Sequence, residues 1–170
     1  WPGNLKRYRL DGQNVVDVTD ANAISNGYFD ENAKSFWSPS KDGAEVPLGG
    51  AASQLGFERA LYVFDDTAPT ISSSIIVEEN RLHEDNNSIT KTDLGIPSSV
   101  NDDVERETYL KWFRGVDLKD SNDDNSTSDY RLQMGDPIHS KPIVVDYGES
   151  GTSVFISTNQ GMIHSFDSEN

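Results

Sequence analysis

Pro142-Ile143-Val144-Val145-Asp146-Tyr147, Gly148-Glu149-Ser150-Gly151, Ser153-Val154-Phe155-Ile156-Ser157, Asn159-Gln160-Gly161 and Met162-Ile163-His164-Ser165-Phe166 follow one another almost without interruption, and they decide the fold. Three short runs rich in β-branched and aromatic residues are separated by two turns that contain glycine. Runs of this kind are strands, and connections this short join antiparallel neighbours. The segment from Lys141 to Asp167 is therefore expected to form a three-stranded antiparallel meander.

A second stretch has the same form. Gly3-Asn4-Leu5-Lys6-Arg7-Tyr8-Arg9 and Gly161-Met162-Ile163-His164-Ser165-Phe166-Asp167 each open on glycine, alternate apolar with polar residues and close on an aromatic and a charged residue. Period-two alternation marks a half-buried strand, and strands of this pattern recur in β-propeller blades. The reading is a mainly-β chain, a fragment of a β-propeller interrupted by a mixed insertion. Residues 1–20 would supply opening strands, 21–134 an insertion with short helices, strands and an acidic loop, and 135–170 blade strands. Two blades at most fit in 170 residues, and propellers need about four or more. The chain also opens at Trp1 without an initiator Met, so it is expected to be one segment of a larger domain that continues downstream.

Within the insertion, Asp30–Trp37 reads as a short helix capped by Asp30, with Ala33, Phe36 and Trp37 on one side. Leu48–Leu55 is rich in small residues and reads as a loop leading into a close-packed helical turn. Arg59–Phe64 and Ile71–Val77 read as strands, and Asn80–Thr92 as a polar loop. Asn101–Arg114 is the strongest helix. Asn101 or Asp102 caps it, acids fill its first turn, and Arg114-Gly115 ends it. Val104, Tyr109, Trp112 and Phe113 would form its buried stripe.

Lys and Arg number 14 and Asp and Glu 29, a net charge of −15. That balance argues against a nucleic-acid backbone or an anionic membrane as partner and favours divalent cations, or simple solubility in a salty habitat. No apolar run approaches the roughly 20 residues of a membrane helix. With no cysteine, disulfides, zinc–thiolate centres and thiol catalysis are excluded within the segment.

The residues best suited to chemistry lie in Asp117-Leu-Lys-Asp120-Ser-Asn122-Asp-Asp124-Asn-Ser126-Thr-Ser-Asp129. Asp120, Asn122, Asp124 and Ser126 alternate, and alternating oxygen side chains on a curled loop can converge on calcium, which takes six to eight oxygens. The EF-hand pattern is matched at its first three ligand positions and then lost. Asn125 stands where glycine is usual, and Arg131 where a bidentate Glu closes the site. Asp129 would have to close it, with Ser126 and Asp117 as further donors. A solvated acidic linker is the competing reading.

Met134-Gly135-Asp136-Pro137-Ile138-His139-Ser140 brings Asp, His and Ser together in sequence. A catalytic triad needs convergence in space, and neighbours on an extended strand point to opposite faces. A turn at Gly135-Asp136-Pro137 with His139 as a hydrogen-bonding element is the preferred reading, and no catalytic residue is assigned. Trp37, Trp112, Phe113 and Tyr130 could offer a sugar-binding platform, though packing roles are the commoner use of such aromatics. His83 and His164 are isolated and read as structural.

Gly135-Asp136-Pro137-Ile138-His139-Ser140-Lys141-Pro142 followed by Val154–Asp167 resembles the hallmark of PilY/PilC-type type IV pilus tip adhesins. Trp1–Tyr8, Gly49–Ala52, Arg59–Tyr62 and Trp112–Asp117 are similar to the family's preceding segments in the same order. Gln160 departs from the Asp or Asn usual there, within a turn. The resemblance implies a seven-bladed modified propeller with quinoprotein-dehydrogenase-like architecture, in the C-terminal half of an exported protein at the pilus tip or outer-membrane surface. It implies a non-enzymatic role in pilus biogenesis, surface adhesion and twitching motility, with calcium at acidic loops modulating extension and retraction. Pilins or minor pilins and a host or abiotic surface would be the partners. Gly135, Asp136, His139, Ser140 and Gly161 would be structural, and Asp120, Asn122, Asp124 and Asp129 fit the family's calcium loop loosely. The alternatives from other classes are a pyrroloquinoline-quinone-type dehydrogenase propeller and a carbohydrate-binding module using Trp37 or Trp112.

Overall fold

The computed structural model describes residues 2–43, 45–56, 59–63, 78–100 and 103–169. They form two compact units, Trp1–Leu55 with Leu132–Asn170, and Gly56–Arg131. Residues 21–55, grouped above with the insertion, thus cluster with the chain's two ends. The fold is mainly β: small antiparallel sheets, one α-helix and short 3-10 turns.

All the described strands lie in the first unit. They are β1 (Pro2–Gly3), β2 (Arg9–Asp11), β3 (Asn14–Val16), β4 (Ile24–Ser25), β5 (Tyr28–Phe29), β6 (Met134–Gly135), β7 (Ile143–Asp146), β8 (Thr152–Ser157) and β9 (Ile163–Asp167). β1 pairs with β6, β2 with β3 and β4 with β5. The β4–β5 turn is Asn26-Gly27 at φ 52° and 84°, the left-handed pair that a two-residue type I′ hairpin requires.

β7, β8 and β9 form the expected meander, in that order. Val144↔Val154↔Phe166 and Ile143↔Phe155↔Ser165 are successive cross-strand rows, so the two rows lie on opposite faces. One face packs Val154, Ile156 and Phe166 into a core with Trp37, Ala51, Ala52 and Met134, against which Leu5 and Leu55 rest. The other carries Ile143 and Ile163, 63% and 78% exposed. Tyr147 N–H donates to the Gly151 carbonyl, which fixes the ladder phase. Val145 and Ile143 then face β8, and the N–H and C=O of Val144 and Asp146 point away from the sheet, without backbone partners among the described residues.

Gly3–Arg9 is not one strand. Only Pro2–Gly3 and Arg9–Asp11 are extended partners, with a lone Arg7↔Phe36 bridge between them, so the apparent repeat with Gly161–Asp167 is not reproduced. Asp30–Trp37 is not a helix. Asp30 caps a tight turn by accepting the Asn32 amide. The next amides then go to distant carboxylates, Lys34 N–H to Asp17 Oδ2 (3.0 Å) and Ser35 N–H to Asp42 Oδ1 (2.7 Å). Those two bonds take donors a helix would need, and Trp37 ends the segment at φ 72°. Leu48–Leu55 behaves as read: Gly50–Gln54 is a 3-10 turn with Gly50, Ala51 and Ala52 buried.

The second unit packs Leu82, Ile89 and Leu110, with Leu61, Val63 and Leu94 against them. Its helix α1 is Asp103–Phe113, so the caps expected at 101 and 102 lie outside the described residues. The helix closes on Gly115 at φ 93°, with Val116 N–H on the Lys111 carbonyl and Gly115 N–H on that of Trp112, a Schellman end. Its buried face is not the expected stripe. Leu110 is fully buried, while Val104, Tyr109 and Trp112 are exposed. Arg106 and Arg114 flank Leu110 on the inner side. Arg106 Nε donates to the Ile89 carbonyl (2.6 Å), and Arg114 Nη1 reaches both Glu84 oxygens (2.6 Å). Two paired guanidiniums thus bury the polar face and leave the aromatic one outside. Residues 59–63 hold no strand, only a Tyr62↔Arg81 bridge. Phe64 and Ile71–Val77 lie outside the described residues.

Candidate metal centre

The acidic loop leaves α1 directly. Its stems are pinned by a Val116↔Tyr130 bridge, by Asp117 N–H on the Asp129 carbonyl (2.9 Å) and by Arg131 N–H on the Gly115 carbonyl (2.7 Å). Arg131 also donates to the Trp112 carbonyl (2.7 Å) and stacks over its ring at 4.9 Å. The loop is therefore a closed excursion rather than an open tether.

Inside it the backbone is left-handed at Asp120, Asp123 and Asn125 (φ 50°, 58° and 66°). Asn and Asp tolerate this conformation better than other side chains, so Asn125 meets the requirement that glycine meets in an EF-hand. Asp120 Oδ1 accepts the amides of Asp124 (2.9 Å) and Asn125 (3.2 Å), which curls the chain. Asp124 Oδ1 accepts the Ser126 amide (2.8 Å).

Three of the expected donors come together. Asn122 Nδ2 donates to Asp124 Oδ2 (2.9 Å) and to Asp129 Oδ2 (3.3 Å). One carboxamide thus holds two carboxylates that would otherwise repel by about 1 kcal/mol at a few ångströms in water. Asp129 Oδ1 is buried with no hydrogen-bond partner. An orphaned carboxylate oxygen beside two further oxygen donors suits a hard cation. Among the described residues no group of three or more His, Cys, Asp or Glu side chains is arranged to hold a metal ion, because Asp120 turns its carboxylate to backbone amides.

The Asp117 carboxylate and the Ser126 hydroxyl do not join this group by hydrogen bonds. Asp117 is buried and accepts the Ser121 amide and hydroxyl, both at 2.8 Å. Burial pushes its carboxyl up, but the Ser121 hydroxyl and amide, the Lys119 amide and the Arg131 charge outweigh it and hold it below the usual range. Ser121 was not singled out in the sequence. A serine four residues after an aspartate at a helix exit is the signal that could have found it.

The Gly135–Ser140 stretch belongs to the other unit and is tied to the β8–β9 turn. The Asp136 carbonyl accepts the Asn159 amide (2.8 Å), and Asp136 Oδ1 caps the turn through the Ile138 amide (2.9 Å). His139 Nδ1 lies 3.4 Å from Asn159 Oδ1. Ser140 Oγ accepts the Ser157 amide (3.2 Å) and shares a bond with its hydroxyl (2.9 Å). A Cβ on Gly135 would stand 2.7 Å from Gln160 Oε1 and 2.9 Å from Thr158 Oγ1, so a larger residue there would have to push both side chains aside. Gly161 takes φ 79° and closes the turn onto the Thr158 carbonyl. His139 and Ser140 thus bond to separate partners on the turn, not to each other.

Trp37 is no open platform. It is buried, its indole N–H donates to the Asp167 carbonyl (3.0 Å), and its ring lies 6.0 Å from that of Phe166. Trp112 remains half-exposed, with one face under Arg131. No helix among the described residues is long and apolar enough to cross a membrane. No protein-family model, curated protein or solved structure matches the chain.

Proposed function

We propose that the chain is part of a β-propeller in a non-enzymatic type IV pilus biogenesis and surface-adhesion protein of the PilY/PilC type, acting outside the cell with pilins and a surface as partners. One observation carries most of the weight. The two stretches that resemble the family hallmark, Gly135–Pro142 and Val154–Asp167, bond to each other at two points, Asp136–Asn159 and Ser140–Ser157. They frame a sheet with apolar side chains on both faces. A sheet of that kind needs covering on both sides, which blades of a propeller supply to one another.

The acidic loop is the proposed calcium site. Asn122, Asp124 and Asp129 supply three side chains already in contact. A cation would replace the Asn122 amide hydrogens between the two carboxylates, with Asn122 turned to present its oxygen. Backbone carbonyls and water would complete the shell. Lacking a closing Glu, the site should be weak, about 10⁻⁴–10⁻³ M, as in extracellular modules.

Titration calorimetry of the intact protein and of Asp124→Ala tests the site. Calcium heat in the parent that is lost in the variant supports it. Equal heats, or none at millimolar metal, leave the loop as a solvated linker. Twitching and surface attachment by cells carrying Asp136→Ala test the adhesin reading, since loosening the turn clamp should impair both. Dye-linked alcohol oxidation after addition of calcium and pyrroloquinoline quinone would instead favour a dehydrogenase.

A further inference from the structure

Three steps in the chain place glycine after an aspartate or asparagine: Asp11-Gly12, Asn26-Gly27 and Asp42-Gly43. Glycine has no Cβ to shield its amide nitrogen, which can attack the preceding side-chain carbonyl carbon and close a five-membered imide. The structure separates the three steps sharply.

At Asp42-Gly43 both partners are occupied. Asp42 is 2% exposed, its carboxylate accepts bonds from Ser35 and Ser38, and the Gly43 N–H donates to the Ala33 carbonyl (3.0 Å). At Asp11-Gly12 the turn is exposed, but an ionised carboxylate is a poor electrophile. Asn26-Gly27 combines an exposed carboxamide with an exposed glycine whose N–H has no backbone acceptor among the described residues. Its hairpin is held by only the pairs Ile24↔Phe29 and Ser25↔Tyr28, so local opening is cheap.

We propose that Asn26 is a site of spontaneous deamidation gated by opening of the β4–β5 hairpin. The Gly27 nitrogen gives its proton to solvent base and bonds to Asn26 Cγ. The bond from Cγ to the side-chain nitrogen breaks, and ammonia leaves. Water then adds to one of the two imide carbonyls, and the ring opens to aspartate or isoaspartate, with no change of oxidation state. Ring closure turns ψ and χ1 of Asn26 until the Gly27 nitrogen reaches Cγ, a rotation that the paired strands flanking the turn restrict, so reaction proceeds from the opened form. Isoaspartate adds one methylene to the main chain of a two-residue turn. Register at Ile24↔Phe29 is then lost, and Phe29 leaves the Tyr8 ring on which it stacks at 4.7 Å.

The test is incubation of the intact chain in mildly alkaline buffer, followed by digestion and peptide mass analysis. The Asn26 peptide should gain about one dalton and split into two chromatographic forms, more slowly than a free peptide of the same sequence. Asp11 should isomerise later and Asp42 not at all, and Asn26→Gln should abolish the doublet. The proposal fails if Asn26 stays amidated after the free peptide has converted, or if exposed Asn125, followed by serine, converts first.

Discussion

Replacing Asp42 by alanine should cost the first unit about 4 kcal/mol. In the native chain the carboxylate accepts Ser35 N–H (2.7 Å), Ser35 Oγ–H (2.6 Å) and Ser38 Oγ–H (2.7 Å), and the Lys6 ammonium stands 3.5 Å from Oδ2. Asp42 is 2% exposed and Ser35 0%, so water cannot substitute. The two hydroxyls lie 2.8 Å apart and can bond each other, which recovers one donor. The Ser35 hydroxyl keeps only a long 3.3 Å contact to the Phe36 carbonyl, so the Ser35 amide is stranded and one hydroxyl nearly so, at about 1–3 kcal/mol each, and Lys6 loses its counter-charge. That loss is a large part of a stability of roughly 5–15 kcal/mol. Asp42→Asn keeps the shape and one acceptor oxygen, and should cost about half as much.

The assay is urea unfolding followed by Trp37 emission in a Trp1→Phe, Trp112→Phe background, repeated from neutral to acid pH. Burial pushes the Asp42 carboxyl up, but the Ser35 hydroxyl and amide, the Ser38 hydroxyl and the Lys6 charge outweigh it and leave it below the usual range. Asp17 is lowered in the same way, burial being overcome by the Thr19 hydroxyl and the amides of Lys34, Thr19 and Ala21. A lowered carboxyl contributes stability above the unfolded pKa and loses it as pH falls through the folded one. The parent should therefore weaken below about pH 4, and Asp42→Asn less steeply. An Asp42→Ala loss under about 1 kcal/mol, or identical acid slopes for parent and Asp42→Asn, would refute the reasoning.

Three further substitutions test the second unit. Leu110→Ala should cost about 3 kcal/mol and Val104→Ala under about 0.5 kcal/mol, measured by hydrogen exchange of the α1 amides; equal losses would overturn the face assignment. Gly115→Ala places a Cβ 2.5 Å from Arg59 Cζ at φ 93° and should cost about 1–3 kcal/mol in the same measurement. A neutral outcome there would mean that the Arg59 guanidinium moves aside freely.

The meander was legible because alternation, β-branching and glycine turns all point one way between Pro142 and Phe166, and no distant group intervenes. The 30–37 segment was misread because its amides are taken by Asp17 and by Asp42, and neither pairing leaves a local signal. The C-terminal end of α1 was legible from Gly115. Its buried face was not, since apolarity favours Trp112 over Arg106 and Arg114, whose partners at Glu84 and Ile89 lie far off in sequence. At the acidic loop the alternation announced Asn122, Asp124 and Asp129 as neighbours. That Asp117 would be withdrawn by Ser121, and Asp120 spent on curling the backbone, depends on left-handed torsions that spacing alone does not encode.

The outward-facing N–H and C=O groups of Val144 and Asp146 have a colloidal consequence. Beside them stand Ile143 and Val144, both mostly exposed, and a bare strand edge with apolar flanks is a template for pairing with any other edge. Copies of this segment are kept apart mainly by their shared charge of −15. That repulsion reaches about 10 Å at 0.1 M salt and about 3 Å at 1 M. Salt, which helps many proteins stay dispersed, should drive this one toward sedimentable assemblies with β-type infrared bands, and dilute buffer should keep it clear.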